Sequence, residues 1–200
     1  MSNNFLFIDF ETRSFCDLKK HGAAVYSEDP TTEILCMAYA RKHEPVKIWL
    51  PGHPIPKEFK KFNGCYVARN AKFEYAICEK ILCKKYKFPK RMLNTQHWID
   101  TVALSYLAGV PGGLEGCAKV VNTTYKKLES GQALINKYCK PYKGQFRDFT
   151  IEDWANMLEY NTVDVEADRE SFYILYKLPN VKQELPVMQL DMRQNIQGLK

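Results

Sequence analysis

Short apolar runs dominate the first half of the 200-residue chain, and helical periods dominate the second. Residues 5–10 (FLFIDF) are rich in strand formers and end at acidic residues, the pattern of a buried strand. Residues 33–41 (EILCMAYAR) and 46–50 (VKIWL) predict two more strands, with KHEP as the turn between them. Pro51, Pro54 and Pro56 break the pattern, and residues 65–69 (CYVAR) resume it as another short strand. Asn70 then stands where a helix N-cap belongs, and Phe73, Ile77, Ile81 and Leu82 recur at helical spacing from Ala71 to about Lys85.

Residues 97–101 read as one more short strand, or as an extended entry into a helix through Tyr106 that Pro111, Gly112 and Gly113 stop. Leu114 to Val121 predicts a further helix. The stretch 122–149 is rich in lysine and tyrosine and weakly patterned, with a helix expected around 128–138 and a loop after it. Thr150 followed by Glu152 and Asp153 is a helix start. The helix runs to about Tyr176, with Trp154, Leu158, Ala167, Phe172 and Leu175 available for packing. Strands first, then strand–helix alternation, then helices give an α/β domain with a central mixed sheet. After Leu178 the character changes. Residues 179–200 carry Pro179 and Pro186 and show nothing obvious to pack against, so 1–178 is expected to be the domain and 179–200 a connector into further chain.

Composition narrows the class. Apolar residues make up 46% and charged ones 26%, ordinary for a globular protein. No apolar run approaches the roughly 18 residues of a spanning helix, and the N-terminus lacks the basic start of a secretory leader. The formal net charge of +6 suits a polyanionic partner and also occurs on many soluble enzymes. Seven cysteines (Cys16, Cys36, Cys65, Cys78, Cys83, Cys117, Cys139) form no CxxC pair, so they are expected to be buried or free thiols in a reducing, cytoplasmic compartment. The histidines match no zinc spacing.

Three acidic features carry chemistry. Asp9-Phe10-Glu11 ends the first strand, where side chains two apart project to the same side. Two carboxylates that close repel unless a cation sits between them, and Mg²⁺ or Mn²⁺ prefers such oxygen ligands; the plainer alternative is a solvated strand end. Glu74, in the first turn of the helix after Asn70, serves either that chemistry or the helix dipole. Tyr160 and Asp164 share a face of the late helix at i,i+4, which alone is compatible with a structural pair. Asp168, one turn on, would extend the stripe or face solvent. Asp100, before a helical run, reads as a helix cap rather than a metal contact.

In this order, DxE on the first strand, NxxFE at a strand–helix junction and YxxxD on a late helix resemble the three motifs of the DnaQ-like (DEDD) 3′–5′ exonucleases. Asp9 and Glu11 match the first motif and Asp164 the third. Glu74 stands where the second usually has an aspartate, one methylene shorter. Tyr160 marks the tyrosine subclass; the histidine subclass would need a histidine where this chain has Glu159. The stretches IDFETRSFCDLKKHGAAVYSEDPTTEILCMAYA and DTVALSYLAGVPGGLEGCAKVV look like the N-terminal proofreading domain of bacteriophage-type family A DNA polymerases, with ELPVMQLDMRQNIQGLK as the lead into a polymerase domain.

That resemblance implies an RNase H-like fold, a mixed five-stranded sheet flanked by helices with the first-motif strand near its centre. It implies two divalent ions, Mg²⁺ or Mn²⁺, held by Asp9, Glu11, Glu74 and Asp164, with Tyr160 orienting the attacking water. The activity implied is removal of nucleoside 5′-monophosphates from a single-stranded DNA 3′ end, as the proofreading part of a covalently linked polymerase, with no membrane partner. Phe10, Asn70 and Phe73 would lie near the terminal nucleotide, the alternative for either ring being a place in the core. Lys126 and Lys127 belong to a stretch from 119 to 147 that interleaves Lys119, Lys137, Lys140, Lys143 and Arg147 with Tyr125, Tyr138, Tyr142 and Phe146. It would track phosphates and stack bases, or be a solvated surface whose rings pack inward. Two alternatives remain open: an RNA-trimming exonuclease and a non-catalytic nucleic-acid-binding domain of the same fold.

Overall fold

In the computed structural model, which describes residues 4–124 and 130–197, the predicted runs pair into one five-stranded sheet. The strands are β1 (Phe5–Arg13), β2 (Glu33–Ala40), β3 (Lys47–Trp49), β4 (Cys65–Ala68) and β5 (Trp98–Asp100). β1 pairs antiparallel with β2, as β2 does with β3, whereas β1–β4 and β4–β5 are parallel. This is the mixed five-stranded, helix-flanked α/β sheet expected of an RNase H-like domain, with β1 at its centre.

The helices are α1 (Leu18–Glu28), α2 (Lys57–Lys60), α3 (Ala71–Ile77), which continues through a π-helical turn (Cys78–Leu82) into α4 (Cys83–Lys85), α5 (Thr101–Leu107) and α6 (Leu114–Val120). Then follow α7 (Ser130–Leu134), running into a second π-helical turn (Ile135–Cys139), α8 (Ile151–Leu175) and α9 (Val181–Gln197). No helix among the described residues is long and apolar enough to cross a membrane.

Alternation along β1 divides the core. Phe5 and Phe7 pack with Val165, Phe172 and Leu175 of α8, whereas Leu6, Ile8 and Phe10 join Tyr26 and the α3–α4 side chains Ile77, Ile81 and Leu82. Phe172 meets both β1 rings edge-on, at centroid distances of 4.9 Å from Phe5 and 5.2 Å from Phe7.

Several expectations are corrected. The apolar pattern gave no sign of α1, which buries only Tyr26 and Ser27; the signal was Asp17, whose carboxylate accepts the amides of Lys19 and Lys20 at 2.9 and 3.3 Å. Asn70 is not a side-chain N-cap: its backbone is left-handed (φ 62°) and its amide donates to Asp100 Oδ1 at 3.1 Å. Asp100 does cap α5, accepting from the Val102 amide at 2.8 Å. The stretch after Leu178 also differs from expectation, because α9 buries Val181, Leu185 and Met192. Its Gln189 amide donates to the carbonyls of Gln96 (2.8 Å) and Trp98 (3.2 Å). The helix thus covers the β5 edge, which would otherwise expose unpaired backbone.

Asp168 neither extends an acidic stripe nor faces solvent. It is buried and accepts from Arg69 Nη1 at 2.9 Å and Thr101 Oγ1 at 2.7 Å. Arg69 spends its other donors on the Gly112 carbonyl and the Ser105 hydroxyl, so one guanidinium ties the end of β4 to α5, α8 and the loop before α6. Removing one partner of such a buried pair strands the other charge, at about 3–5 kcal/mol. Asp168→Ala is expected to lose that much unfolding free energy in urea titrations, and Arg69→Met with Asp168→Leu to lose less than the sum of the single changes. A loss below about 1 kcal/mol in Asp168→Ala would contradict this assignment of the pair.

Candidate functional site

Because β1, β4 and β5 run parallel, their C-terminal ends reach the same edge of the sheet, the place where open α/β sheets carry ligands. The first end bears Asp9 and Glu11, the second leads through Asn70 into α3 and Glu74, and the third bears Asp100. On β1, Asp9 lies opposite Ala38 and Glu11 opposite Cys36, with a register shift just after Glu11. Both acids fall on the parity of Phe5 and Phe7, the face that α8 covers. The start of α8 is set by Thr150, whose hydroxyl accepts the Asp153 amide at 3.0 Å; Tyr160, Asn161 and Asp164 follow about three turns later.

These elements bring Asp9, Glu11, Glu74, Tyr160 and Asp164, drawn from three distant parts of the chain, to the wall of one cavity of about 640 Å³. Phe10, Phe73 and Tyr26 give it apolar sides, and Lys19, Gln132 and Lys140 contribute polar groups. Asp9 and Asp164 also line a smaller cavity of about 310 Å³ with Arg69, Asn70 and Gly113. Asn70 thus stands with the second cavity. Lys126 and Lys127 lie outside the described residues. The rest of the basic-aromatic stretch divides: Tyr138 packs inward on Phe149 at 4.0 Å, whereas Tyr142 lies under Arg147 and Phe146 under Arg13. Phe146 also meets Phe15, a wall residue of the large cavity, at 4.7 Å.

Burial governs the electrostatics. Glu74 is 3% exposed, and its Oε2 has no hydrogen-bond partner. Desolvation first, then the charge of Asp9 and, more weakly, those of Asp100 and Asp168, hold its carboxyl well above the ordinary range. Tyr160 is equally buried; desolvation, the charges of Asp164 and Glu11, and a hydrogen bond to Asp164 raise its pKa, so the phenol keeps its proton and acts as a donor. Its ring occupies the space where a β-carbon on Gly131 would stand, 2.1 Å from Cε2, so only glycine lets α7 close over it.

One participant was missed from the sequence. Asn161, fully buried, donates from Nδ2 to Asp9 Oδ2 at 2.5 Å. The signal was there: 161, 165, 168, 172 and 175 follow the helical stripe that α8 buries, and an amide on such a stripe needs polar partners.

Among the described residues, no three Asp, Glu, His or Cys side chains stand close enough together to hold one metal ion. The donor set nonetheless fits a divalent cation. It is all oxygen, as Mg²⁺ and Mn²⁺ prefer, and it includes a buried carboxylate oxygen with no hydrogen-bond partner, set among other acids.

No family model matches the chain. Over 98% of its length it is 31% identical to a DNA polymerase of Bacillus phage SP02, of which the alignment covers 31%. The chain therefore spans about a third of the length of that phage protein.

The Glu74 environment has a testable consequence. A carboxyl whose folded pKa lies above the ordinary value of 4.5 favours folding at low pH, and that contribution is lost as pH rises through the folded value. Glu74→Gln abolishes the titration. In EDTA, the melting temperature of this variant is expected to gain on the natural chain as pH rises from about 5 to about 8. A gap that does not change with pH would contradict the burial of an unsatisfied carboxyl at this position.

Proposed function

We propose that this chain is the 3′–5′ exonuclease part of a DNA polymerase, a metal-dependent hydrolase that removes nucleoside 5′-monophosphates from a DNA 3′ end. The observation that carries the reading is the meeting of Asp9, Glu11, Glu74, Tyr160 and Asp164 on one cavity wall. Similarity to part of a phage DNA polymerase supports the polymerase setting. In this reading residues 1–178 hold the nuclease, and 179–200, including α9, lead towards the polymerase part.

Asp9, Glu11, Glu74 and Asp164 would hold Mg²⁺ or Mn²⁺, two ions in all, which when bound supply the positive charge that a phosphodiester needs as negative charge develops on it. The remaining work falls to the chain's own groups. Tyr160 keeps its proton and is no general base; its hydroxyl, held beside Asp164, positions the attacking water by hydrogen bonding. Phe10, Phe73 and Tyr26 offer apolar faces to the sugar and base of the terminal nucleotide, and Lys140 offers charge to a phosphate. A cavity of about 640 Å³ lies within the range of small-ligand sites.

The test is a 5′-labelled single-stranded DNA incubated with Mg²⁺ or Mn²⁺, beside EDTA and an RNA of the same sequence. A ladder shrinking from the 3′ end is expected, with DNA cut faster than RNA. Asp9→Ala with Glu11→Ala should slow cutting at least ~10³-fold, the equivalent of losing about 4 kcal/mol of transition-state stabilisation. Intact DNA under both metals would overturn the exonuclease reading in favour of nucleic-acid binding alone. Faster cutting of RNA would overturn the DNA assignment, and full activity in the double variant would overturn the roles given to the two acids.

A further inference from the structure

We propose that Asn161, held in place by Cys36, is a positioning residue that aims the Asp9 carboxylate at the cation site; this rests on the reading of Asp9 as a metal ligand. Asn161 sits on α8 between Tyr160 and Asp164 and is wholly buried. A buried amide is costly unless both its ends are paired. Here Nδ2 donates to Asp9 Oδ2 at 2.5 Å, and Oδ1 accepts from Cys36 Sγ at 3.6 Å. The two partners lie on adjacent strands, Cys36 of β2 opposite Glu11 and two residues from Ala38, which is opposite Asp9.

The orientation of the amide follows from its partners. A carboxylate only accepts, so the NH₂ end must face Asp9. That leaves the carbonyl end toward Cys36, whose S–H donates to it. With Oδ2 held from α8 and the Asp9 backbone held in the β1–β2 ladder, the plane of the carboxylate is fixed, and with it the direction in which Oδ1 points. Groups behind metal ligands act in this way, and losing them commonly weakens metal binding by about 10–100-fold. Cys36 is then the third member of a chain from β2 through α8 to β1. Without its S–H the carbonyl end loses its partner and Asp9 alone orients the amide, which loosens the hold on the carboxylate.

The experiment measures Mn²⁺ binding to the full chain by electron paramagnetic resonance of the free ion, with circular dichroism and melting curves on every variant. Asn161→Leu, close in volume but without hydrogen-bonding groups, should remain folded and bind Mn²⁺ about 10–100-fold more weakly. Cys36→Ala should weaken binding less, and Cys36→Ser, whose hydroxyl can still donate to Oδ1, should restore it. Folded Asn161→Leu binding Mn²⁺ like the natural chain would overturn the proposal. If Asn161→Leu does not fold, the Cys36 pair decides: equal affinity in Cys36→Ala and Cys36→Ser overturns it, and serine rescue supports it. A natural chain that binds no Mn²⁺ would instead overturn the metal-site reading beneath it, so the two failures are distinguishable.

Discussion

The site depends on how α8 lies across β1. Phe172 is seated on Phe5 and Phe7, and the burial of those rings sets the register of the helix against the strand. The eight residues from Phe172 back to Asp164 span about 12 Å of helix. The four from Phe5 to Asp9 span about 13 Å of strand. Since the two elements run in opposite senses here, Asp164 is carried to the level of Asp9, and a further turn carries Tyr160 to the level of Glu11. An apolar contact at one end thus decides which polar side chains meet at the other. A shift of one residue in α8 would turn its stripe by about 100° and part the acids from their partners.

That arrangement concentrates like charge, which is unfavourable for the bare protein. Glu74 is buried with an unsatisfied oxygen, and its neighbours are acids. The compensation lies elsewhere: in the two apolar layers on either side of the sheet, and in the Arg69 network that holds β4, α5 and α8 together without entering the large cavity. Stability set aside at a site for chemistry is a common arrangement in enzymes.

Much of this was legible in the sequence, and the omissions have physical causes. Each strand overlaps a run read from the sequence, although β1 continues three residues past its run to Arg13 and the β5 run was also compatible with an extended helix entry. Strands buried on both faces read as continuous apolar segments. Thr150 announced α8 because helix capping is local chemistry. α1 was silent because it buries little, and α9 was misjudged because Pro179 and Pro186 masked a helical stripe of Val181, Leu185 and Met192. Asp168 could not be placed because its partner, Arg69, lies 99 residues away, and a charge pattern says nothing of such pairings. The acids and Tyr160 were picked out because their order along the chain resembles the exonuclease motifs, whereas Asn161 was passed over because an amide beside two louder residues looks like surface.

The central claim is that the β1–α8 junction is built to receive divalent cations. Diffraction from crystals grown with Mn²⁺, recorded near the manganese absorption edge, tests it most directly. Anomalous peaks are expected inside the large cavity, at coordination distance from carboxylate oxygens of Asp9 and at least one of Glu11, Glu74 and Asp164. A cavity without anomalous density, with Glu74 Oε2 still lacking a partner, would contradict the claim.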